Sequence, residues 1–75
     1  MEIRKSFSER LASLRKEKGL SLISLGEILS VTDEAVRLLE RGKRSPSFEV
    51  LIALADYFDV SLDYLVGRSD DPARR

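Results

Sequence analysis

The sequence contains no cysteine and no histidine, and only four glycines and two prolines among its 75 residues. The first two absences exclude disulfide bonds, thiol nucleophiles, imidazole bases and most zinc sites. No apolar run approaches the roughly 18 residues of a membrane-spanning helix, and no hydrophobic segment near the N-terminus is typical of a secretory signal. We therefore expect no metal, no cofactor and no membrane partner, and a cytoplasmic location if the protein is natural.

What the sequence does contain is a balanced set of charges, with 13 Lys and Arg against 13 Asp and Glu. Hydrophobic residues make up 43% and charged residues 35%, which is typical of a globular domain and not of a disordered chain. A chain this short buries only about 60% of its unfolded surface, which leaves little bulk to enclose a substrate pocket. We expect one domain over residues 1–67, a flexible C-terminal tail over residues 68–75, and no enzymatic activity.

The spacing of apolar residues predicts five helices and no strand. Phe7, Leu11 and Leu14 indicate a first helix over about residues 8–18, which Gly19 ends. The other four helices each begin after a serine or threonine N-cap, at Ser21, Thr32, Ser47 and Ser61. The second and third helices are joined by about three residues, the length of the tight turn in a helix-turn-helix. The expected fold class is all-α, a compact five-helix domain.

Several segments carry a resemblance to a known family. They are Arg10-Leu11 to Leu20-Ser21, Leu25-Gly26-Glu27, Val31-Thr32, the turn Glu40-Arg41-Gly42-Lys43-Arg44-Ser45-Pro46-Ser47, and the stretch from Leu54 to Gly67 with its Ser-Leu-Asp-Tyr-Leu ending. Together they resemble the lambda-repressor-like, XRE-type helix-turn-helix domain over about residues 7–68. The resemblance implies that the second and third helices form a DNA-reading unit, with the third in the major groove.

The resemblance also implies positions for the DNA contacts. The base-facing positions are Asp33, Glu34, Ala35 and Arg37, and Thr32 is a further candidate DNA contact. Positions facing the DNA backbone are Leu22, Leu38, Arg41, Lys43 and Arg44. A structural ion pair between Arg15 and Glu40 belongs to the same family-level expectation. With these residues the chain would be a small transcriptional repressor that binds operator DNA as a homodimer.

Some of these positions depart from the family pattern. Leu22 and Ile23 stand where family members usually carry glutamine and then a polar residue, and Ser30 stands where glycine is usual because the backbone needs a positive φ. Asp33 and Glu34 bring two carboxylates toward DNA. Residues 21–47 carry four basic and four acidic side chains, so phosphate binding would depend on few contacts.

These departures favour another hypothesis, a protein-binding module on the same scaffold whose surface was altered by engineering or redirected by selection. An apolar patch on the second helix, with help from the third, would dock a protein partner of unknown identity, and Gly26 would let another backbone come close. The candidate contacts are Leu22, Ile23, Gly26, Glu27, Ser30, Asp33, Glu34, Arg37 and Leu38. Leu22 also fits a core stripe with Leu25 and Leu29, and its burial would remove part of this surface. The DNA-binding repressor is the alternative.

Overall fold

The computed structural model describes residues 3–74, with side chains from residue 5 onward. Within this range the chain forms five α-helices and no strand. The helices are α1 (Ile3–Glu17), α2 (Leu22–Leu29), α3 (Asp33–Glu40), α4 (Phe48–Phe58) and α5 (Leu62–Leu65). The predicted all-α fold class is confirmed.

Four helices begin at the predicted N-caps. In each, a hydroxyl oxygen accepts a hydrogen bond from the backbone N–H three residues later, which satisfies a donor that the helix itself leaves unpaired. The pairs are Ser21 with Ser24 at 3.0 Å, Thr32 with Ala35 at 3.1 Å, Ser47 with Val50 at 3.1 Å, and Ser61 with Tyr64 at 3.0 Å. Local sequence therefore determines where these helices start.

The first helix begins earlier than predicted, at Ile3 and not near Ser8. Ser8 is buried inside the helix, and its hydroxyl donates to the carbonyl oxygen of Lys5 at 2.9 Å. A serine can bond back to the preceding turn in this way instead of capping a new helix. The earlier start places Phe7 on the helix, where its side chain is buried in the core.

One hydrophobic core joins the helices. Its buried members are Phe7, Leu11, Leu14, Leu25, Leu29, Val36, Leu39, Leu54, Ala55, Phe58, Val60 and Leu65. Helix α3 packs against α1 and α2, while α4 packs against α2 and α5, and α5 also contacts α1. The side of α3 that faces away from α1 and α2 is therefore left toward solvent.

The segment after α5 lies against the end of α4. The guanidinium of Arg74 donates to the carbonyl oxygen of Ala55 at 3.1 Å and to Oδ1 of Asp56 at 2.8 Å. Asp56 raises the pKa of Arg74 above its ordinary value, chiefly through this hydrogen bond. A cation at the C-terminal end of a helix is favoured by the helix dipole. The flexibility of this tail stays a prediction.

Candidate nucleic-acid interface

The turn between α2 and α3 closes tightly against Gly26. Ser30 has a φ of 61°, the left-handed conformation expected at this position, and the Val31 N–H donates to the Gly26 carbonyl oxygen at 2.8 Å. A Cβ atom at Gly26 would lie 2.7 Å from the Val31 carbonyl oxygen, which is too close for an unshifted contact. The backbone that approaches Gly26 is therefore that of its own chain, and the prediction that Gly26 admits a partner's backbone is wrong.

A largely buried ion pair fixes α3 against α1. Nε of Arg15 donates to Oε2 of Glu40 at 2.6 Å and Nη2 donates to Oε1 at 3.1 Å. The two side chains are only 16% and 11% exposed, and Nη1 of Arg15 also donates to the Leu20 carbonyl oxygen at 2.9 Å. The hydrogen bonds to Glu40 raise the pKa of Arg15 above its ordinary value. The pairing that the resemblance implied is confirmed.

Helix α3 has a buried side and a solvent side. Val36 and Leu39 are buried and point toward α1 and α2. Because successive residues of a helix turn by about 100°, Glu34, Arg37 and Arg41 project from the other side. We call this the solvent side of α3, and it is the surface that the helix presents to a ligand.

Glu34 and Arg37 form an ion pair on the solvent side of α3. Nη1 of Arg37 donates to Oε1 of Glu34, and the side chains remain 61% exposed for Glu34 and 42% for Arg37. Asp33 is exposed in the first turn of α3, where the helix dipole favours a carboxylate. The repulsion of DNA expected from two acidic residues is therefore reduced, because Arg37 offsets the charge of Glu34.

Three cations, Arg41, Lys43 and Arg44, follow directly on α3, and we call them the basic loop. All three are exposed, and none forms an ion pair with another described residue. The Lys43 N–H donates to the Leu38 carbonyl oxygen at 3.0 Å, so the loop wraps the C-terminal end of α3. Exposed cations without an internal partner are the groups that bind phosphate with release of counterions.

The apolar patch predicted on α2 is smaller than the sequence indicated. Ile23 is 62% exposed, but Leu22 is half-buried and packs against the core, and Leu38 is half-buried as well. Glu27 and Ser30, predicted to share a face with Ile23, are exposed. Of the two apolar residues expected at the centre of the patch, only Ile23 is exposed; Ile28, also on α2, is 38% exposed. Exposed apolar residues that do not form one large patch are normal on a protein surface.

Thr32 and Ala35 complete the predicted set of contacts at the start of α3. The Thr32 hydroxyl oxygen accepts from the Ala35 N–H, so its O–H is still able to donate to a ligand. Thr32 is exposed and Ala35 is half-buried.

Two features of this region were absent from the sequence predictions. Opposite charges three residues apart meet on a helix, so the spacing of Glu34 and Arg37 was a usable signal for their ion pair. Phe48 is 72% exposed at the first position of α4, directly after the segment that carries the basic loop. Its spacing from Leu51 and Ala55 would have placed it in the core stripe of that helix.

Among the described residues no helix is long and apolar enough to cross a bilayer. In the same part of the chain no group of three or more acidic side chains lies close enough together to hold a metal ion.

A tight two-helix turn with a solvent-facing second helix defines the class of helix-turn-helix proteins. The pattern of the helix-turn-helix family matches residues 11–65, which contain α2 to α5 in full. This match spans most of the chain, and the chain belongs to that family, in its XRE-type, lambda-repressor-like branch.

Relatives and solved structures agree with this assignment. The chain is 42% identical over 60 residues to the HTH-type transcriptional regulator AnsR of Bacillus subtilis, covering 80% of this chain and 52% of AnsR. The crystal structure of a transcriptional regulator from Listeria innocua is 43% identical with a TM-score of 0.79, covering 81% of this chain and 57% of that one. The P22 c2 repressor protein, in complex with a synthetic operator, is 30% identical with a TM-score of 0.78, covering 84% and 96%. The chain spans about half the length of the first curated relatives that it matches.

The hypothesis of a protein-binding module is wrong. The relatives are HTH-type transcriptional regulators, and one similar repressor was solved on an operator. These findings support neither a protein partner for α2 nor an engineered surface, and they agree with the expectation that the chain is not an enzyme. The physical reason lies in packing, since Leu22 rests on the core and Gly26 is covered by Val31 of the same chain.

Proposed function

We propose that this chain is the DNA-binding domain of a transcriptional regulator and that it inserts α3 into the major groove of duplex DNA. The observation that carries the proposal is the solvent side of α3, which presents Arg37 and is followed by the basic loop, whose three cations form no ion pair with any described residue. A major groove about 12 Å wide admits an α-helix. The names of the relatives and the operator complex of a similar repressor support the same role.

The contacts in this arrangement divide into two kinds. Arg37 lies on α3 itself and would contact base edges, while the basic loop lies beyond the helix end and would bind phosphates. Thr32 can donate its O–H, and the methyl group of Ala35 can contact a thymine methyl group. Base contacts supply sequence preference and phosphate contacts supply register and much of the affinity.

Because the net charge of the chain is zero, phosphate binding depends on its local cations, and the salt dependence of binding measures how many of them contact phosphates. Each phosphate neutralised on duplex DNA contributes about −0.9 to the slope of log affinity against log salt concentration. Three contacts from the basic loop of each chain give a slope of about −3 per chain.

The test measures fluorescence anisotropy of labelled duplex DNA at several salt concentrations, for the unchanged chain and for Lys43→Gln and Arg44→Gln. We expect each substitution to weaken binding to all duplexes and to reduce the slope by about 1. Arg68→Gln is the matched control, because Arg68 is exposed and follows α5, which packs against α1 and α4. Absence of duplex binding at about 50 mM salt, or slopes unchanged by both loop substitutions, would contradict the proposal.

We also infer that the chain binds DNA as a homodimer, because helix-turn-helix repressors of this docking geometry bind as dimers, with one recognition helix in each of two successive major grooves. Two copies related by a two-fold axis would read half-sites about 34–36 Å apart, so the operator should be an inverted repeat. Sedimentation of the chain with such a duplex should give two chains per duplex. One chain per duplex at saturation would contradict the dimer and leave the DNA-binding role intact. A cytoplasmic location is part of the same proposal, because a transcriptional regulator needs access to DNA.

A further inference from the structure

We infer that Glu34 and Arg37 act together as the reader of one guanine–cytosine base pair in each half-site. The starting point is the ion pair that they form on the solvent side of α3. Because this reading needs α3 in the major groove, it rests on the proposed function.

The guanidinium of Arg37 has donors left after it pairs with Glu34. Only Nη1 is bonded to Glu34, and no other described residue accepts from Arg37. Nε and Nη2 therefore remain able to donate two parallel hydrogen bonds. Guanine presents two acceptors side by side in the major groove, O6 and N7, whereas adenine presents an acceptor beside a donor. Arg37 in this state matches guanine and is mismatched to adenine.

Glu34 orients the side chain of Arg37 and offers a second contact, to the cytosine of the same base pair. An unpaired arginine on an exposed helix samples many rotamers, and the ion pair restricts Arg37 to those that lie beside Glu34. Oε2 of Glu34 makes no hydrogen bond within the described residues. A carboxylate oxygen can accept from the N4 amino group of cytosine, the partner of the guanine that Arg37 would contact.

Asp33 supplies a contrast on the same helix. It is exposed in the first turn of α3, directly before Glu34, and it forms no ion pair within the described residues. Substitution of Asp33 and of Glu34 by their amides removes the same charge from neighbouring positions, but only the second removes the partner of Arg37.

The first test uses the unchanged chain, so it does not depend on the folding of a variant. Duplexes are selected from a random pool, and affinity is then measured for the selected duplex, for a duplex with the guanine–cytosine pair replaced by adenine–thymine, and for one with 7-deazaguanine, which lacks the N7 acceptor. We expect the adenine–thymine duplex to bind about ten- to a hundredfold more weakly, and the 7-deazaguanine duplex to lose part of the preference.

The second test compares variants by the same measurement. Arg37→Gln replaces the two parallel donors with an amide, which matches adenine and not guanine, so it should lose most of the guanine preference. Glu34→Gln should bind unrelated duplexes more tightly and the selected duplex several-fold more weakly. Asp33→Asn should bind both the unrelated duplexes and the selected duplex more tightly, because it removes a negative charge and leaves the Glu34–Arg37 pair intact. If Glu34→Gln behaves like Asp33→Asn, then Glu34 acts only through its charge and its positioning role is overturned.

The outcomes separate this inference from the function on which it rests. A chain that binds no duplex at low salt contradicts both. A chain that binds duplexes but selects no guanine, or keeps its guanine preference after Arg37→Gln, overturns the inference alone. Circular dichroism should show unchanged helicity in every variant, because these side chains are exposed.

Discussion

Helix α3 takes part in two arginine–glutamate ion pairs, one with α1 and one within itself, and the two pairs differ in their exposure to water. Arg15 and Glu40 form a two-bond pair that joins α1 to α3 and is largely buried. Glu34 and Arg37 form a one-bond pair within α3 that is open to water. Removing one partner of a buried pair leaves a costly unpaired charge, whereas an exposed pair contributes little to stability. The first pair therefore holds the helix in place, and the second leaves donors for a ligand.

The same contrast extends to the rest of the helix-turn-helix. On the inner side, Gly26 lies under Val31 and Leu22 rests on the core, so these residues determine how α2 and α3 meet. On the outer side, Arg37 and the basic loop have few internal contacts. Substitutions on the inner side should change stability, and substitutions on the outer side should change DNA binding.

The largest effect on stability is expected from Glu40→Ala, which leaves the charge of Arg15 without its partner. We expect the free energy of unfolding to fall by about 2–4 kcal/mol, toward the lower end because water still reaches the edge of the pair. Urea denaturation measures this. Glu34→Ala is the matched control and should cost less than about 0.5 kcal/mol. Equal losses for the two variants would remove the distinction between the pairs.

Gly26→Ala is expected to have the next largest effect. Alanine favours an α-helix over glycine by about 0.5–1 kcal/mol, but its Cβ atom would press on the Val31 carbonyl oxygen. We expect a net destabilisation of about 1–3 kcal/mol in urea denaturation, as for other overpacked sites. Glu27→Ala, on the exposed side of α2, should stay within about 0.5 kcal/mol. A stabilised Gly26→Ala variant would show that the turn between α2 and α3 can move enough to admit the Cβ atom.

Ser30→Gly should have a smaller effect of opposite sign. A serine with a φ of 61° is strained, and glycine relieves the strain while adding freedom to the unfolded chain. We expect a gain of up to about 1 kcal/mol in the free energy of unfolding. Ser30→Ala keeps the strain and should show no gain. A loss of stability on Ser30→Gly would mean that the serine makes a compensating interaction.

The smallest effect is expected from Ile23→Ser. Ile23 is exposed and makes no contribution to the buried core, so stability should change by less than about 0.5 kcal/mol. Anisotropy titration should show unchanged affinity for duplex DNA. A large loss of either quantity would show that Ile23 is part of the inner side or of the DNA contact.

Features that depend on neighbouring residues were predictable from the sequence, and features that depend on packing were not. The caps at Ser21 and Thr32 act within one turn of helix, so their sequence signals were sufficient. The exposure of Leu22 depends on how α2 packs against the core, and the role of Gly26 depends on how closely Val31 approaches it after the turn. The solvent side of α3 was named only through a family resemblance, and its ion pair appeared only in the structure.

Nuclear magnetic resonance titration of the isotope-labelled chain with duplex DNA, at about 50 mM salt, tests most directly which face binds. Amide signals of α3 and the basic loop, residues 33–44, should shift strongly, while those of α5 and residues 68–74 should hardly move. Shifts confined to α5 and the segment after it, or no shifts at all, would contradict DNA binding through the solvent side of α3.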